Sequence, residues 1–271
     1  VVLGWLIGQA RAKLALVLQI VINLVNMTTT VLLVLVFNAG IAGAAIAAVV
    51  AEATGLMLGL VIARRLAHGR RLSVSRKTLL DRAKLMRMLA VNGDIMIRTA
   101  ALITAFLFFT AQGARAGDVT LAANAVLNNF LLVSAFFLDG LANAAEQLCG
   151  QAFGARDRRG FSDATRLVIA WGFGFALAVT AAFALFGHGL IDMMTASDGV
   201  RRVARDYLLF VVVSPLLAVL AFAFDGVYIG ATWARDMRNL MMASLAIFLA
   251  AWFGLRGYGN AGLWGALLIH Y

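Results

Sequence analysis

Long apolar runs recur along this chain, separated by short charged or glycine-rich breaks. Their spacing predicts helices at 14–37, 41–63, 88–111, 119–144, 163–186, 205–230 and 236–255. Each is close to the ~20 residues that carry a helix across a bilayer. A stub over 1–9 precedes them, and a partial helix begins at 260. Strands of a membrane barrel would alternate apolar and polar positions, and these runs do not. The expected fold class is therefore all-α, a polytopic membrane helix bundle.

Composition agrees. The chain is 63% hydrophobic and 13% charged, with a mean hydropathy of +0.91. A soluble domain of 271 residues has too little interior to hide that much apolar surface. The lone Cys149 excludes an internal disulfide and any multi-cysteine metal site. His68, His188 and His270 are scattered and give no metal spacing. The net charge of +10 changes meaning once it is placed along the chain. If the predicted helices cross the bilayer in turn, 17 of the 23 basic residues fall on one side, among them Arg64, Arg65, Arg156, Arg158, Arg235 and Arg238. That side is cytoplasmic by the positive-inside rule. The basic excess thus reports topology and contact with anionic lipid, and nucleic acid is not an expected partner.

One short phrase occurs twice: NAGIAGA at 38–44 and NAGLWGA at 260–266. At the same offset of 222, Gly4, Ile7, Gly8, Ala12 and Lys13 fall on Gly226, Ile229, Gly230, Ala234 and Arg235. Two matched blocks at one offset point to a repeat. Six predicted crossings separate the two phrases, an even number, so both copies enter the membrane from the same side. The repeat is parallel, and an intact protein would hold two six-helix lobes in about 440 residues. On this reading residues 1–66 are the end of helix 4 and helices 5 and 6 of the first lobe. Residues 67–87, basic and carrying Ser73 and Ser75, form a cytoplasmic linker. Residues 88–271 hold helices 7–11 and the start of helix 12. The first helices of the bundle are expected to be missing and the last truncated. The Asn of the phrase reads as a helix N-cap, with its glycines allowing close helix approach.

Five stretches resemble the MATE (multidrug and toxic compound extrusion) transporters, and within them the DinF-like branch. They are GWLIGQARAK (4–13), NLVN with NAGIAGAAIA (23–26 and 38–47), NGDIMIR (92–98), FLDGLANAAEQLCGQAFGARD (137–157) and FDGVYIGATWARDMRN (224–239). The resemblance implies a central cavity between two lobes and export of amphipathic, often cationic, small molecules. It further implies alternating access driven by proton or sodium inflow. The family's first helix, with its coupling carboxylate, would lie before residue 1. The family pattern N-x-x-N-x-x-x-D is met by Asn23 and Asn26, but Thr30 stands where the Asp would be. A hydroxyl hydrogen-bonds but carries no exchangeable carboxyl proton, so a first-lobe proton site must take its acid from elsewhere.

Ionisable side chains inside spans are costly unless paired, which makes each a candidate for function. The ion-coupling candidates are Asp225, Asp139, Asp94 and Glu52. Asp225 shares its helix with Pro215, whose missing N–H would free a carbonyl to line a cavity. The alternative for Asp225 is a helix-end acid, capped by hydroxyls or paired with Arg235. Asp94 and Arg98, four apart, share a helix face and can pair, either permanently or as a contact that opens during transport. Asp139 and Glu146 share a face, with Asp139 the deeper; Glu146 is expected to brace the following turn with Arg156 or Arg158. Glu52 sits among Ala and Val as a buried acid, within reach of Asn23 or Asn26. Cavity-lining candidates are Asn23, Asn26, Asn124, Asn128 and Asn143, with interhelical hydrogen bonding an equal alternative. Phe106, Phe108, Phe109, Phe130, Phe136 and Phe137 offer either cation-stacking faces or plain packing.

The expected function is an antiporter coupled to an ion, H+ in preference to Na+, that exports amphipathic or cationic small molecules by alternating access. The alternatives are a lipid-linked sugar flippase and a membrane protein without transport activity. A flippase cavity would need several cations for a pyrophosphate, and only Arg98 stands clearly within a span. Residues 150–157 lack the spacing of a nucleotide-binding loop, and no paired catalytic groups mark an enzyme. The expected partners are a small-molecule substrate and the lipid bilayer, with the protein a monomer in a bacterial inner membrane, and with no cofactor beyond the coupling ion.

Overall fold

The structure, a computed structural model, describes residues 2–9, 11–67 and 81–271. Among them seven helical stretches are long and apolar enough to cross a membrane: Lys13–Val36, Gly40–Leu66, Arg82–Arg115, Asp118–Gly154, Arg158–Met194, Asp198–Gly230 and Ala234–His270. Large apolar side chains point outward along them, Ile41 at 92% exposure and Leu185 at 77%. Only a lipid solvent makes such a surface stable. The chain is a multi-pass membrane protein, as the apolar runs predict.

Two compact units divide it, Val1–Asp81 and Arg82–Tyr271. In the first, α1 (Val2–Gly8), α2 (Ala12–Thr30) and α3 (Gly40–Ala67) pack around Leu6, Leu18, Ile22 and Ala51. α2 widens into a π turn over Val31–Val36, where the Phe37 N–H donates to the Leu32 carbonyl at 3.0 Å. Asn38 and Gly40 then take positive φ values of 51° and 54° to start α3. The first copy of the repeated phrase is thus a turn signal that uses the tolerance of Asn and Gly for left-handed backbone. Of the expected linker 67–87, residues 68–80 lie outside the described residues, and with them His68, Arg70, Arg71, Ser73, Ser75, Arg76 and Lys77.

The second unit contains α4 (Arg82–Arg115), α5 (Asp118–Gly154), α6 (Arg158–Met194), α7 (Asp198–Gly230), α8 (Ala234–Leu255) and α9 (Gly259–His270). α4 begins at Arg82 rather than at 88, because 82–87 continue its helical turn instead of extending the loop before it. α5, α6 and α7 pack as one group, and α4, α8 and α9 as another. The main core draws on both groups, with Phe109 against Trp264 at 4.9 Å within one and Phe130 against Phe183 at 5.0 Å within the other, between ring centroids.

α5 and α7 cross backbone against backbone. A Cβ on Gly226 would collide with the Ala142 carbonyl, and one on Gly230 would stand 2.5 Å from the Glu146 carbonyl oxygen. Gly150 faces Gly230 in turn, its Cβ position 3.2 Å from the Gly230 oxygen. In lipid, helices attract each other by close packing rather than by shedding water, and small residues make that approach possible.

Three local expectations are corrected. Asn260, in the second copy of the phrase, does not cap α9; Gly259 opens that helix at φ 58°, and the Asn260 side chain turns inward. Pro215 does lie inside α7, but it is fully buried and its helix frees no carbonyl to a cavity. The carbonyl four residues back, Val211, accepts the Ser214 hydroxyl at 2.8 Å, and Val212 accepts Thr180 from α6 at 2.9 Å. The turn after α5 is braced by Asp157 rather than Glu146: the Asp157 carboxylate caps α6 by accepting the Gly160 N–H at 3.0 Å.

Replacing Gly226 by Ala forces α5 and α7 apart, so it should cost roughly 1–3 kcal/mol of stability. Gly174→Ala, at a position with open space around it, should be close to neutral. Thermal unfolding of the two variants in detergent checks the difference; equal melting points would contradict the close crossing.

Candidate functional site

A cavity of about 670 Å³ opens inside the second unit, between the α4, α8 and α9 group and the facing walls of α5 and α7. That is within the roughly 300–1,000 Å³ of small-molecule sites. Its walls are mostly apolar: Leu102, Phe106 and Phe109 from α4, Leu131 and Leu132 from α5, Phe222 from α7 and Met241 from α8. The polar groups gather in two places.

At one end stand Arg98, Asp139 and Asp225. The close α5–α7 crossing at Ala142 and Gly226 brings their two acids to the same space. Arg98 on α4 forms an ion pair and hydrogen bond with Asp225, donating from Nη2 to Oδ1. Its side chain is 20% exposed and that of Asp225 24%. The guanidinium also acts electrostatically on Asp139, which is exposed to the cavity. Arg98 Nε is buried without a hydrogen-bond partner, so the Asp225 carboxylate uses only part of what the guanidinium can donate.

The pairing differs from the one that sequence spacing offered. Asp94 does not pair with Arg98; it takes Arg238 of α8, whose Nη1 donates to Asp94 Oδ1 at 2.5 Å. Nor does Asp225 pair with Arg235. Residues four apart on one helix are near neighbours, but at this point α7 and α8 present better-placed charges from across the bundle. Asp94 is therefore tied up in a clasp between α4 and α8 and is not on the cavity wall.

At the other end Asn124 of α5 is buried in an amide cluster. Asn124 Nδ2 donates to Asn260 Oδ1 at 2.8 Å, and Asn260 Nδ2 returns a bond to Asn124 Oδ1 at 3.0 Å. Trp264 Nε1 donates to the same oxygen at 2.9 Å. Three side chains from α5 and α9 thereby satisfy one another in a region with little water. His270 on the same wall makes a 2.8 Å hydrogen bond through Nδ1 with the Ser244 hydroxyl of α8.

The structure brings together Arg98, Asp139, Asp225, Asn124 and Asn128 around one cavity. It leaves out the rest. Asn143 is exposed and donates to the Asp139 backbone carbonyl at 2.8 Å. Glu52 is exposed on α3, not buried; Ala and Val flank it in sequence, but the helix turns it outward. Asn23 is exposed and accepts from Gln19 at 3.2 Å, while Asn26 is half-buried on α2. Of the aromatics, Phe106 and Phe109 line the cavity, Phe108 packs on Phe248 and Trp252, Phe130 sits in the core, and Phe136 and Phe137 point outward. Sequence reasoning passed over Phe222, Arg238, Asn260 and Trp264. The repeated phrase marked the last two, but as a cap and a packing signal.

A multi-pass helical membrane protein with a charged, largely apolar cavity inside one bundle is the class that this geometry defines. The family model described as MatE matches residues 95–252, the stretch that builds most of the cavity. The chain is 36% identical over 269 residues to the DNA damage-inducible protein F of Escherichia coli, covering 99% of this chain and 59% of that one. It is 32% identical over 163 residues to the probable multidrug resistance protein NorM of Rhizobium meliloti, covering 55% of this chain and 34% of that one. Among solved structures, the MATE transporter VcmN of Vibrio cholerae superposes with a TM-score of 0.85 at 20% identity, over 98% of this chain and 60% of that one. The chain belongs to the MATE family. It spans less than two thirds of the length of each of these relatives.

Asn124→Leu leaves Asn260 and the Trp264 N–H without partners, so it should destabilise the protein by roughly 1–3 kcal/mol. The Trp264 ring should also lose its fixed setting against Phe109. Thermal unfolding followed by tryptophan fluorescence reads both effects; an unchanged midpoint and spectrum would show that the amide cluster contributes nothing.

Proposed function

We propose that this protein works as an ion-coupled antiporter, exporting amphipathic or cationic small molecules by alternating access. The observation that carries the reading is the cavity itself: apolar, aromatic-lined, and ending in two carboxylates of which one is already paired. Phe106, Phe109 and Phe222 offer apolar and cation-attracting faces to the body of such a molecule, and Asp139 offers a counter-charge to its head. Relatives named for multidrug resistance and detoxification support the same class of cargo.

In this reading residues 1–66 belong to the first lobe, 67–87 to a cytoplasmic linker and 88–271 to the second lobe. The protein sits as a monomer in a bacterial inner membrane. Proton coupling is favoured over sodium. Asp225 is engaged by Arg98, which leaves too few free oxygens at that end to replace the hydration shell of a sodium ion. A proton needs only one carboxylate. Protonation of Asp225 removes the anion that holds Arg98, and the guanidinium then turns to Asp139, expelling a cationic cargo from that acid. A lipid-linked sugar flippase fits less well, because among the described residues Arg98 is the one cation on the cavity wall and is held by a carboxylate.

The test is efflux of a fluorescent organic cation from vesicles reconstituted with the protein, under a proton gradient and separately under a sodium gradient. Proton-driven efflux is expected, and Asp225→Asn should lower it by roughly tenfold or more. No efflux under either gradient would reject the transporter reading. Full activity in Asp225→Asn would remove that residue from the coupling.

A further inference from the structure

The charges around the cavity can be counted, and the count has a consequence for what fits. Arg98, Asp139 and Asp225 are the charged groups on its wall. His270 is engaged through Nδ1 by the Ser244 hydroxyl. Of the acids nearest these groups but off the wall, Asp94 is paired with Arg238, and Glu146 is half-buried one helical stretch beyond Asp139. Among the described residues, one guanidinium against two carboxylates leaves the wall with one negative charge in excess.

We propose that Arg98 is a specificity-determining residue, a tethered counter-cation that limits the cavity to cargo carrying a single positive charge. This rests on the cationic-cargo reading above. Asp225 is held by Arg98 in both an ion pair and a hydrogen bond. Asp139, exposed to the same space, is the acid left for cargo. In a site of low polarity an uncompensated charge is costly, and the cost falls on the complex as a whole. A monocation brings the wall to neutrality. A dication of the same size and shape leaves one positive charge beside the guanidinium, and among the described residues the wall holds no third carboxylate to meet it.

Binding should follow the charge of the wall through a series of variants. Arg98→Gln leaves two anions and should favour dications. Asp225→Asn leaves Arg98 facing Asp139, a neutral wall, and should lose organic cations altogether. The double variant Arg98→Gln with Asp225→Asn leaves Asp139 alone, again one negative charge, and should return the preference to monocations. It also removes both members of a partly buried pair at once, which a bundle tolerates better than the loss of one.

Ethidium and propidium make suitable probes, since they share one phenanthridinium ring system and differ by an added quaternary ammonium arm. Equilibrium binding of each to the purified protein in lipid nanodiscs, at neutral pH, reads the preference as a ratio of dissociation constants. The unaltered protein should bind ethidium about tenfold more tightly than propidium, and Arg98→Gln should shift that ratio toward propidium by at least a similar factor. The double variant should shift it back. If ethidium binds the unaltered protein and the ratio stays the same in Arg98→Gln, or, should that variant not fold, if the double variant fails to regain the ethidium binding lost in Asp225→Asn, the charge-limiting role is wrong while the cationic-cargo reading stands. If the unaltered protein binds neither dye, the cationic-cargo reading fails and this inference falls with it.

Discussion

The second unit is organised by one steric fact: α5 and α7 touch backbone to backbone. At Gly226 and Gly230 no side chain separates the helices, and the carbonyls of Ala142 and Glu146 occupy the space that a Cβ would need. Lipid supplies no hydrophobic drive to press two apolar helices together, so dispersion at such close contact holds the pair. Register follows from it. Asp225 precedes Gly226, and Asp139 lies one turn before Ala142, so the crossing that fixes one pair of small residues delivers two acids to a common space. Arg98 completes the arrangement from α4. Were the crossing looser by a side chain, the carboxylates would face lipid or separate pockets, and neither would be stable as an anion.

The helices were legible because apolar runs in a membrane protein need satisfy only length and hydropathy. The acids on the cavity wall were legible for the complementary reason, that a charge inside such a run requires a partner. The partners were harder. Spacing of four residues offered Asp94 to Arg98, and local geometry permits that pair. Each instead reached to another helix, Arg98 to Asp225 and Asp94 to Arg238, at separations of 127 and 144 residues. Charges of equal quality were waiting there at the bundle interior, and one sequence carries no sign of which neighbour packs closer. Glu52 failed for the opposite reason. Its apolar sequence neighbours do not reveal which face of α3 is turned inward.

Pro215 and Asn260 show how far a local rule carries. Proline in a membrane helix must leave a carbonyl without its usual donor, and that much held. What took its place was not a cavity but Ser214, one residue away, whose hydroxyl reaches the Val211 carbonyl. The sequence pair Ser-Pro contained that answer. Asn260 stands at a helix start, where a cap is the ordinary use of its side chain. Here Gly259 makes the turn and the carboxamide is released for Asn124 and Trp264. A reciprocal amide pair satisfies more donors and acceptors than a cap would in a dry interior, so the tertiary bond wins.

The clasps around α4 differ in what they join, and the difference bears on motion. Asp94 ties α4 to α8, within the group to which both helices already belong. Arg98 ties α4 to α7, across the cavity to the other group. Only the second clasp has its acid on the cavity wall. Loss of the Asp225 charge would therefore weaken the bridge between the groups and leave the bond within one of them intact. The amide cluster at the far end, Asn124 with Asn260 and Trp264, also spans the groups but carries no charge and does not answer to protonation. The two contacts that span the groups therefore differ in kind: the ion pair depends on the charge held inside the cavity, and the amide cluster does not.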